Sequence, residues 1–498
     1  MYSKYIERLF KFAIYSPYRV VELMAEPEEI GIPGTKRDFA IFILVNLGIG
    51  CLLYSVLTNV AQTIAGTVFI ATVIGTLMFW RFRVGIAFVG ITILLLTGTI
   101  DLEHTITFMS LDVIIFLVGM MVIIGLLKEV GFFNWLMIKT IKMSQFDPTK
   151  LMLTFMVLSA LTAALVGEVI SILFVTAMIL ELCDRFDADP VPYIIMAVLA
   201  TNIGSSATVL GNPIGLLIAL RGGLTFEDYL RWATPTAIIS LVSLMPLALF
   251  WYRKDMKLFQ EKINAKLAKD SDTTLDEWAE VKDKRMFKQS SILFFIVLVF
   301  IALHYRIELL LGLEKNTILI ATSIAGAGIV MLWQRAKARK YLEKDVDWWT
   351  LIFFMFLFAK AGCLKYTGLT DRLASSMLIL TGGTLILALT LVLWVATWGS
   401  SVLDNVVLVA AFIPIVQSLG ANGIPVFPLW WALLFGGCYG GNITMVGSTA
   451  NIVALGVLEK RRHYYMKFFK WFWIGLVGGL VPTIVAELLL LVQLPLMH

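Results

Sequence analysis

Two stretches of this chain, each set among residues apolar enough to cross a bilayer, turn abruptly to Gly, Asn, Ser and Thr. The first is Thr201-Asn-Ile-Gly-Ser-Ser-Ala-Thr-Val-Leu-Gly-Asn-Pro-Ile-Gly215. The second is Gly440-Gly-Asn-Ile-Thr-Met-Val-Gly-Ser-Thr-Ala-Asn451. Shifted by 236 positions they superimpose without gaps: Pro192 falls on Pro428, Gly204 on Gly440, Thr208 on Thr444 and Gly211 on Gly447. Irregular backbone in hydrocarbon leaves peptide groups unpaired, and each costs several kcal/mol unless protein buries it or it lines a cavity. Interrupted apolar segments at matching places in two halves are the sequence mark of a transporter's solute site. The pattern predicts a secondary transporter.

Composition agrees. Hydrophobic residues make up 59% of the 498 and charged residues 15%, against roughly 25% charged in a soluble domain. Much of this surface must face lipid, which makes the bilayer the first expected partner. Cys51, Cys183, Cys363 and Cys438 are scattered and form no CxxC pair, so neither a disulfide framework nor a zinc site is signalled. The charge placement gives no nucleic-acid footprint, and no cofactor is implied. Residues 1–36 carry both signs of charge with no apolar core of a cleavable signal, and residues 2–21 suit an amphipathic helix on the membrane surface.

Apolar runs at 39–58, 64–80, 84–100, 109–127, 190–220, 232–252, 290–303, 316–333, 348–364, 427–457 and 471–492 each suit one crossing. Two others, 150–181 and 377–419, are interrupted midway at Leu165-Val-Gly-Glu168 and Trp398-Gly-Ser-Ser-Val-Leu-Asp-Asn405. The basic loops all fall on one side, with a cytoplasmic N-terminus, if both interrupted runs return to the side they left. The run at 150–181 is also short for two crossings. The expected fold is an all-α polytopic membrane protein with about 11 crossings plus 2 re-entrant hairpins. It comprises an N-terminal cytoplasmic segment (1–38), an extra helix (39–60) and a first repeat (61–252). A charged cytoplasmic linker (253–288) and a second, inverted repeat (289–498) follow. Each repeat holds a hairpin and a broken helix, in a multi-pass protein of the cell membrane.

A carboxylate stands at each hairpin tip, Glu168 and Asp404, and the 236 shift superimposes them. A charge at this depth is costly, so each is a functional candidate by default. Asn405 follows Asp404, whereas Val169 follows Glu168. The breaks add Asn202, Gly204, Ser205, Ser206, Thr208, Gly211 and Asn212 in the first half. In the second they add Gly441, Asn442, Thr444, Gly447, Ser448, Thr449 and Asn451. These are the expected solute- or ion-binding residues, the glycines permitting close backbone approach. The competing reading is that small and hydroxylated residues pack helices together. Lys360 lies inside 348–364, where the first half has Ile124. It is expected to pair with an acid, to exchange a proton, or to snorkel toward an interface. His104, His304, His463 and His498 are placed in loops or at the end, so proton coupling is expected to run through Glu168, Asp404 or Lys360.

The motifs resemble those of the ion transporter superfamily, specifically the group of arsenite permeases, NhaD-type antiporters and the melanosomal P permease. The likeness is carried by Ser401-Val-Leu-Asp404-Asn405-Val, Trp430-Trp-Ala-Leu and Gly440-Gly-Asn442-Ile-Thr444-Met-Val-Gly447-Ser-Thr-Ala-Asn451. The lead-in Val346-Asp-Trp-Trp-Thr-Leu-Ile-Phe-Phe354 adds to it. The first half departs from the group, with Gly167-Glu168 at its tip and Gly211-Asn212-Pro213-Ile214-Gly215 in its break. The resemblance implies an elevator-like carrier, coupled to H+ or Na+, that acts as a homodimer. For an arsenite-type permease a soluble ATPase partner is a further expectation. The expected activity is proton-coupled efflux of a small inorganic ion or neutral oxyacid. Na+/H+ antiport is the alternative, and a carboxylate symporter or a channel is less favoured. The HExxH motif of a metalloprotease is absent, and no core histidine is expected to serve a serine hydrolase, so an enzyme is not expected.

Overall fold

The computed structural model of the chain describes residues 36–79, 82–267, 278, 281, 283–462 and 464–497. The surface helix expected over 2–21, part of the 253–288 linker, His463 and His498 lie outside the described residues. Every regular element described is helical. Nine of the described helices are long and apolar enough to cross a membrane, or ten if one bent pair counts as a single span.

The helices divide between two compact units. The first holds residues 1–111, 348–474 and 490–498. Its helices are α1 (Lys36–Leu57), α2 (Val60–Met78), α3 (Arg83–Leu96) and α4 (Leu102–Phe108). The second holds residues 112–347 and 475–489. It begins with α5 (Leu111–Glu129), α6 (Phe132–Ser144), α7 (Pro148–Val166), α8 (Glu168–Phe186), α9 (Val191–Gly204) and α10 (Pro213–Gly222). It continues with α11 (Phe226–Trp251), α12 (Arg253–Leu267), α13 (Lys284–Leu311), α14 (Thr317–Trp333) and α15 (Arg335–Asp345). The first unit resumes with α16 (Trp348–Tyr366), α17 (Leu369–Thr381), α18 (Leu385–Val402), α19 (Asn405–Ala421), α20 (Phe427–Gly440) and α21 (Thr449–Arg462). The last helix, α22 (Phe468–Gln493), contributes to both. These units cut across the repeat boundaries drawn from sequence.

The same succession of elements occurs in both halves. A 19-residue helix comes first, α5 or α16. A 13-residue helix follows, α6 or α17, each entered through a glycine in the left-handed region, Gly131 (φ 80°) and Gly368 (φ 76°). Then come a hairpin (α7–α8 or α18–α19) and a helix broken in the middle (α9–α10 or α20–α21). The short helix before each hairpin was not anticipated. In the second half its apolar end merges with α18, which is why the run 377–419 reads as one tract.

Local chemistry sets the boundaries. Asp147 caps α7 by accepting from the amides of Thr149 and Lys150, with Pro148 at the first helical position, where its missing N–H costs nothing. Gly167 (φ 96°) makes the first tip, a backbone shape that only glycine adopts without strain. Within each unit the hairpin's first arm packs closely on the first part of the broken helix. The contact carries Ala200-x-x-x-Gly204 in one half and Gly436-x-x-x-Gly440 in the other, small residues one turn apart that let backbones touch. A Cβ on Gly204 would overlap the main chain of Ala160, and one on Gly440 that of Thr397.

Two expectations need correction. The first hairpin is not short: α7 and α8 have 19 residues each, and α7 alone is long and apolar enough to cross. Polar residues at the outer ends (Lys150, Glu181, Asp184 and Arg185) hid that length from a reading of apolar runs. His304 is not in a loop. It lies in the 28-residue α13, 1% exposed, its Nδ1 2.8 Å from the Ile301 carbonyl. Within the linker, α12 packs Met256, Phe259 and Ile263 inward. Lys262 and Lys266 of α12 donate to the carbonyls of Asp187 and Arg185 at the end of α8.

Candidate functional site

Each unit carries one half-site, built where its hairpin tip meets its broken helix. In the second unit α9 ends at Gly204, α10 begins at Pro213, and the polar loop between them lies against the tip. The Glu168 amide donates to the Gly211 carbonyl at 2.9 Å. The Thr208 hydroxyl donates to the Ala164 carbonyl of the hairpin's first arm and accepts from the Leu210 amide at 3.1 Å. Asn212 caps α10, its Oδ1 accepting from the Gly215 amide at 2.7 Å while its Nδ2 donates to Ser205 Oγ at 2.8 Å. Ser205 donates in turn to the Asn202 carbonyl, and Ser206 to that of Ile203. The hairpin's arms are joined by Thr162 and Ser171, whose hydroxyls lie 2.6 Å apart. Glu168 itself is 3% exposed.

The half-site of the first unit repeats this plan with different chemistry. The helix breaks between Gly440 and Thr449. The Thr444 hydroxyl donates to the Ser401 carbonyl, the counterpart of the bond from Thr208. Asn451 Nδ2 donates to the carbonyls of Gly441 (2.7 Å) and Thr444 (2.8 Å). Ser448 Oγ accepts from the Ala450 amide at 3.2 Å. Ser400 donates to the Gly437 carbonyl, and Trp471 Nε1 to that of Asn442. Gly447 sits where a Cβ would meet the carbonyls of Ser400 and Gly441 at 2.7 and 2.8 Å.

The two tip carboxylates, superimposed in sequence, differ in helical register. Glu168 is the first residue of α8, behind Gly167. Asp404 is the cap of α19 and Asn405 its first residue, so Glu168 matches Asn405 in position. Asp404 Oδ1 accepts from the Val406 amide at 3.0 Å and Oδ2 from the Thr449 hydroxyl at 2.8 Å. Asn405 is fully buried, and neither of its side-chain polar atoms has a hydrogen-bond partner among the described residues. Both tips sit at helix N-termini, where the macrodipole favours a carboxylate.

The predicted residues thus come together within each unit, but not in one role. Thr208, Asn212, Thr444 and Asn451 brace the break against the hairpin, while Glu168, Asp404 and Asn405 stand at the tips. Lys360 is neither paired with an acid nor snorkelling. It is 1% exposed, and its Nζ donates to Thr72 Oγ1 at 2.7 Å and to the Ala87 carbonyl at 3.4 Å. Among the described residues it makes no ion pair. The cation near Asp404 is instead Arg83, close enough to act on it electrostatically. Arg83 is buried at the start of α3, donates to Thr350 Oγ1 at 2.7 Å and lies 5.4 Å from the Phe353 ring centre. It reads in sequence as part of the basic loop Arg81–Arg83. The available signal was its place directly before an apolar run, where a helix begins. Thr72, Thr162 and Ser171 gave no signal apart from their surroundings.

Comparison with known proteins places these features. A family model described as a citrate transporter matches residues 68–436, well over half of the chain. Among curated proteins, an uncharacterized transporter of Mycobacterium tuberculosis is 33% identical over 353 residues, covering 70% of this chain and 78% of the relative. The human P protein is 24% identical over 464 residues, covering 79% of this chain and 54% of the relative. Among solved structures, the YdaH transporter of Alcanivorax borkumensis, described as having an unusual topology, shares the fold. Its TM-score is 0.51 at 16% identity, over 77% of this chain and 85% of that one.

Proposed function

Because the chain belongs to the citrate transporter family, a family within the ion transporter superfamily, we propose that it exports a small, neutral, hydroxylated inorganic solute of the arsenite type in exchange for protons. One observation carries the choice of substrate: the chain's own oxygens already take an amide at each helix N-terminus around both half-sites. Asn212 caps α10, Asp404 caps α19, Ser448 accepts at the start of α21, and the first amide of α8 is given to Gly211. Free amide ends are what a carboxylate or oxyanion would need. The tip and break motifs also contain no basic side chain. What remains is one buried carboxylate per half-site among hydroxyls, amides and carbonyls, with the charge of Asp404 opposed by Arg83, a lining suited to a neutral polyol-like solute and to protons.

Glu168 and Asp404 are the proposed proton carriers. Within each unit the bonds from Thr208 and Thr444 tie hairpin and broken helix into one body, which supports elevator-like movement of that body. The family's description favours a second reading, transport of citrate. In that case a bound cation must offset the two carboxylates. The test is uptake into inside-out proteoliposomes with arsenite, citrate plus magnesium, or sodium, each against a proton gradient. Arsenite-dependent proton movement that is lost in Glu168→Gln and Asp404→Asn is the expected result. Movement driven by citrate or sodium alone refutes it.

A further inference from the structure

We propose that Lys360 is a proton-exchange site in its own right, separate from the tip carboxylates. In its charged state it supplies, from the protein itself, the positive charge that a coupling metal ion would otherwise bring. The use of this site rests on the transporter reading; its existence does not.

The cradle is built from three helices. Lys360 lies on α16 and reaches Thr72 on α2 and the main chain of Ala87 on α3. Thr72 donates its own hydroxyl hydrogen to the Val68 carbonyl at 2.9 Å, leaving its oxygen free to accept from the ammonium. Gly90, one turn beyond Ala87, keeps space open beside the nitrogen; a Cβ there would stand 3.1 Å from Nζ. A hydroxyl and a carbonyl oxygen around a buried cation are the ligands a monovalent metal ion would take.

No packing need explains a lysine here. The corresponding place on α5, counted from the helix starts at Leu111 and Trp348, is held by Ile123, one residue before the Ile124 that the 236 shift pairs with Lys360, and both are buried. An ordinary aliphatic side chain therefore fits this position of the repeat. Nor does a neighbouring charge explain it. The helices packed on α16 are α2, α3, α4, α17 and α19. α2 carries no charged residue, and α19 none beyond its cap, Asp404. α3 brings Arg83, bound to Thr350, ten residues before Lys360 and so about 15 Å away along the helix. α4 brings Glu103 and His104, the latter 2.7 Å from Asp101. On α17, Asp371 accepts from Ser418, and Arg372 donates to the carbonyls of Val56 and Leu57. On α16 itself Lys365 donates to Gln417, Tyr366 to Asp101, and Cys363 is a buried free thiol. None of these bonds Lys360.

Burial away from water disfavours the charged amine, and the two oxygen acceptors favour it. These opposing terms let the group hold and release a proton. On release one N–H bond breaks, the proton passes to water, and the electron pair stays on nitrogen. Thr72 can then turn its hydroxyl from the Val68 carbonyl to that pair, so the cradle serves both forms. The site's charge changes from +1 to zero.

The test uses the full chain in liposomes on a supported membrane, in sodium-free choline buffer with no solute, and records charge displacement after pH jumps. The native protein should show a component that Lys360→Met removes. Thr72→Val removes the ammonium's hydroxyl acceptor and should move that component's midpoint to lower pH by about one unit, tenfold in proton concentration, as expected for one lost charge-assisted hydrogen bond. A native protein without the component, a component that survives Lys360→Met, or a midpoint unmoved by Thr72→Val overturns the proposal. Should Lys360→Met fail to fold, Thr72→Val decides alone. Arsenite exchange measured in the same liposomes tests the transport reading separately, and its failure would leave the pH-jump result standing.

Discussion

Gly447→Ala offers a sharp test of how the break is held. Gly447 is buried, and an added Cβ would lie 2.7 Å from the Ser400 carbonyl oxygen, 2.8 Å from that of Gly441 and 3.0 Å from Gly441 Cα. All three are main-chain atoms, so no side chain can rotate away to make room. Relaxed contacts of carbon sit at about 3.5–4.0 Å, so the loop must retreat from the hairpin by about 0.8 Å. Overpacking of this kind costs about 1–3 kcal/mol. The same retreat acts on the neighbouring Thr449–Asp404 bond, now 2.8 Å, and would stretch it to the limit of hydrogen bonding. Gly85→Ala is the matched control in the same unit, because its Cβ would meet nothing within 4 Å and it lies inside a helix. That change should be neutral or stabilising by up to ~1 kcal/mol. Thermal unfolding of the detergent-purified variants measures both, and solute exchange reports the site. The argument fails if Gly447→Ala melts with the native protein and transports normally, or if Gly85→Ala is as damaging.

Two further outcomes are expected. Thr449→Val removes a hydroxyl that donates to the Asp404 carboxylate, worth about 1.5–3 kcal/mol to the charged form. The pH profile of exchange should therefore move, and Thr449→Ser should restore it; a profile unchanged in the valine variant would refute the coupling. Asp101, in the exposed turn between α3 and α4, is held below the usual carboxylate range, chiefly by the hydrogen bond from the His104 amide. A carboxyl lowered on folding stabilises above its unfolded range and loses that contribution as pH falls through its folded value. Stability lost through Asp101 should thus appear only below about pH 4. Asp101→Ala should abolish that acid-side step in a melting series, and a step at neutral pH would contradict the assignment.

Much of the architecture is legible without coordinates, for a local reason. Where Gly, Asn, Ser and Thr replace aliphatic residues inside an apolar run, the helix must stop, and its ends must find partners nearby in the chain. The two breaks, the hairpin tips and the placing of Glu168 and Asp404 at those tips follow from that constraint. Helix ends written in polar residues, such as those of α8, are less legible, because a polar terminus looks like a loop.

What the tertiary structure decided lies where distant segments meet. Lys360 and Thr72 are 288 positions apart, and nothing near either announces the other. Only helix packing shows that the lysine is enclosed by a hydroxyl and a carbonyl rather than by an acid, that Arg83 is buried near Asp404, and that His304 points into protein. The register of the tips is likewise a matter of geometry. One extra residue between α18 and α19 makes Asp404 a cap and puts Asn405 where the other half has Glu168. A one-residue offset is nearly invisible in an alignment, yet on a helix it turns a side chain by about 100° and changes what it can touch.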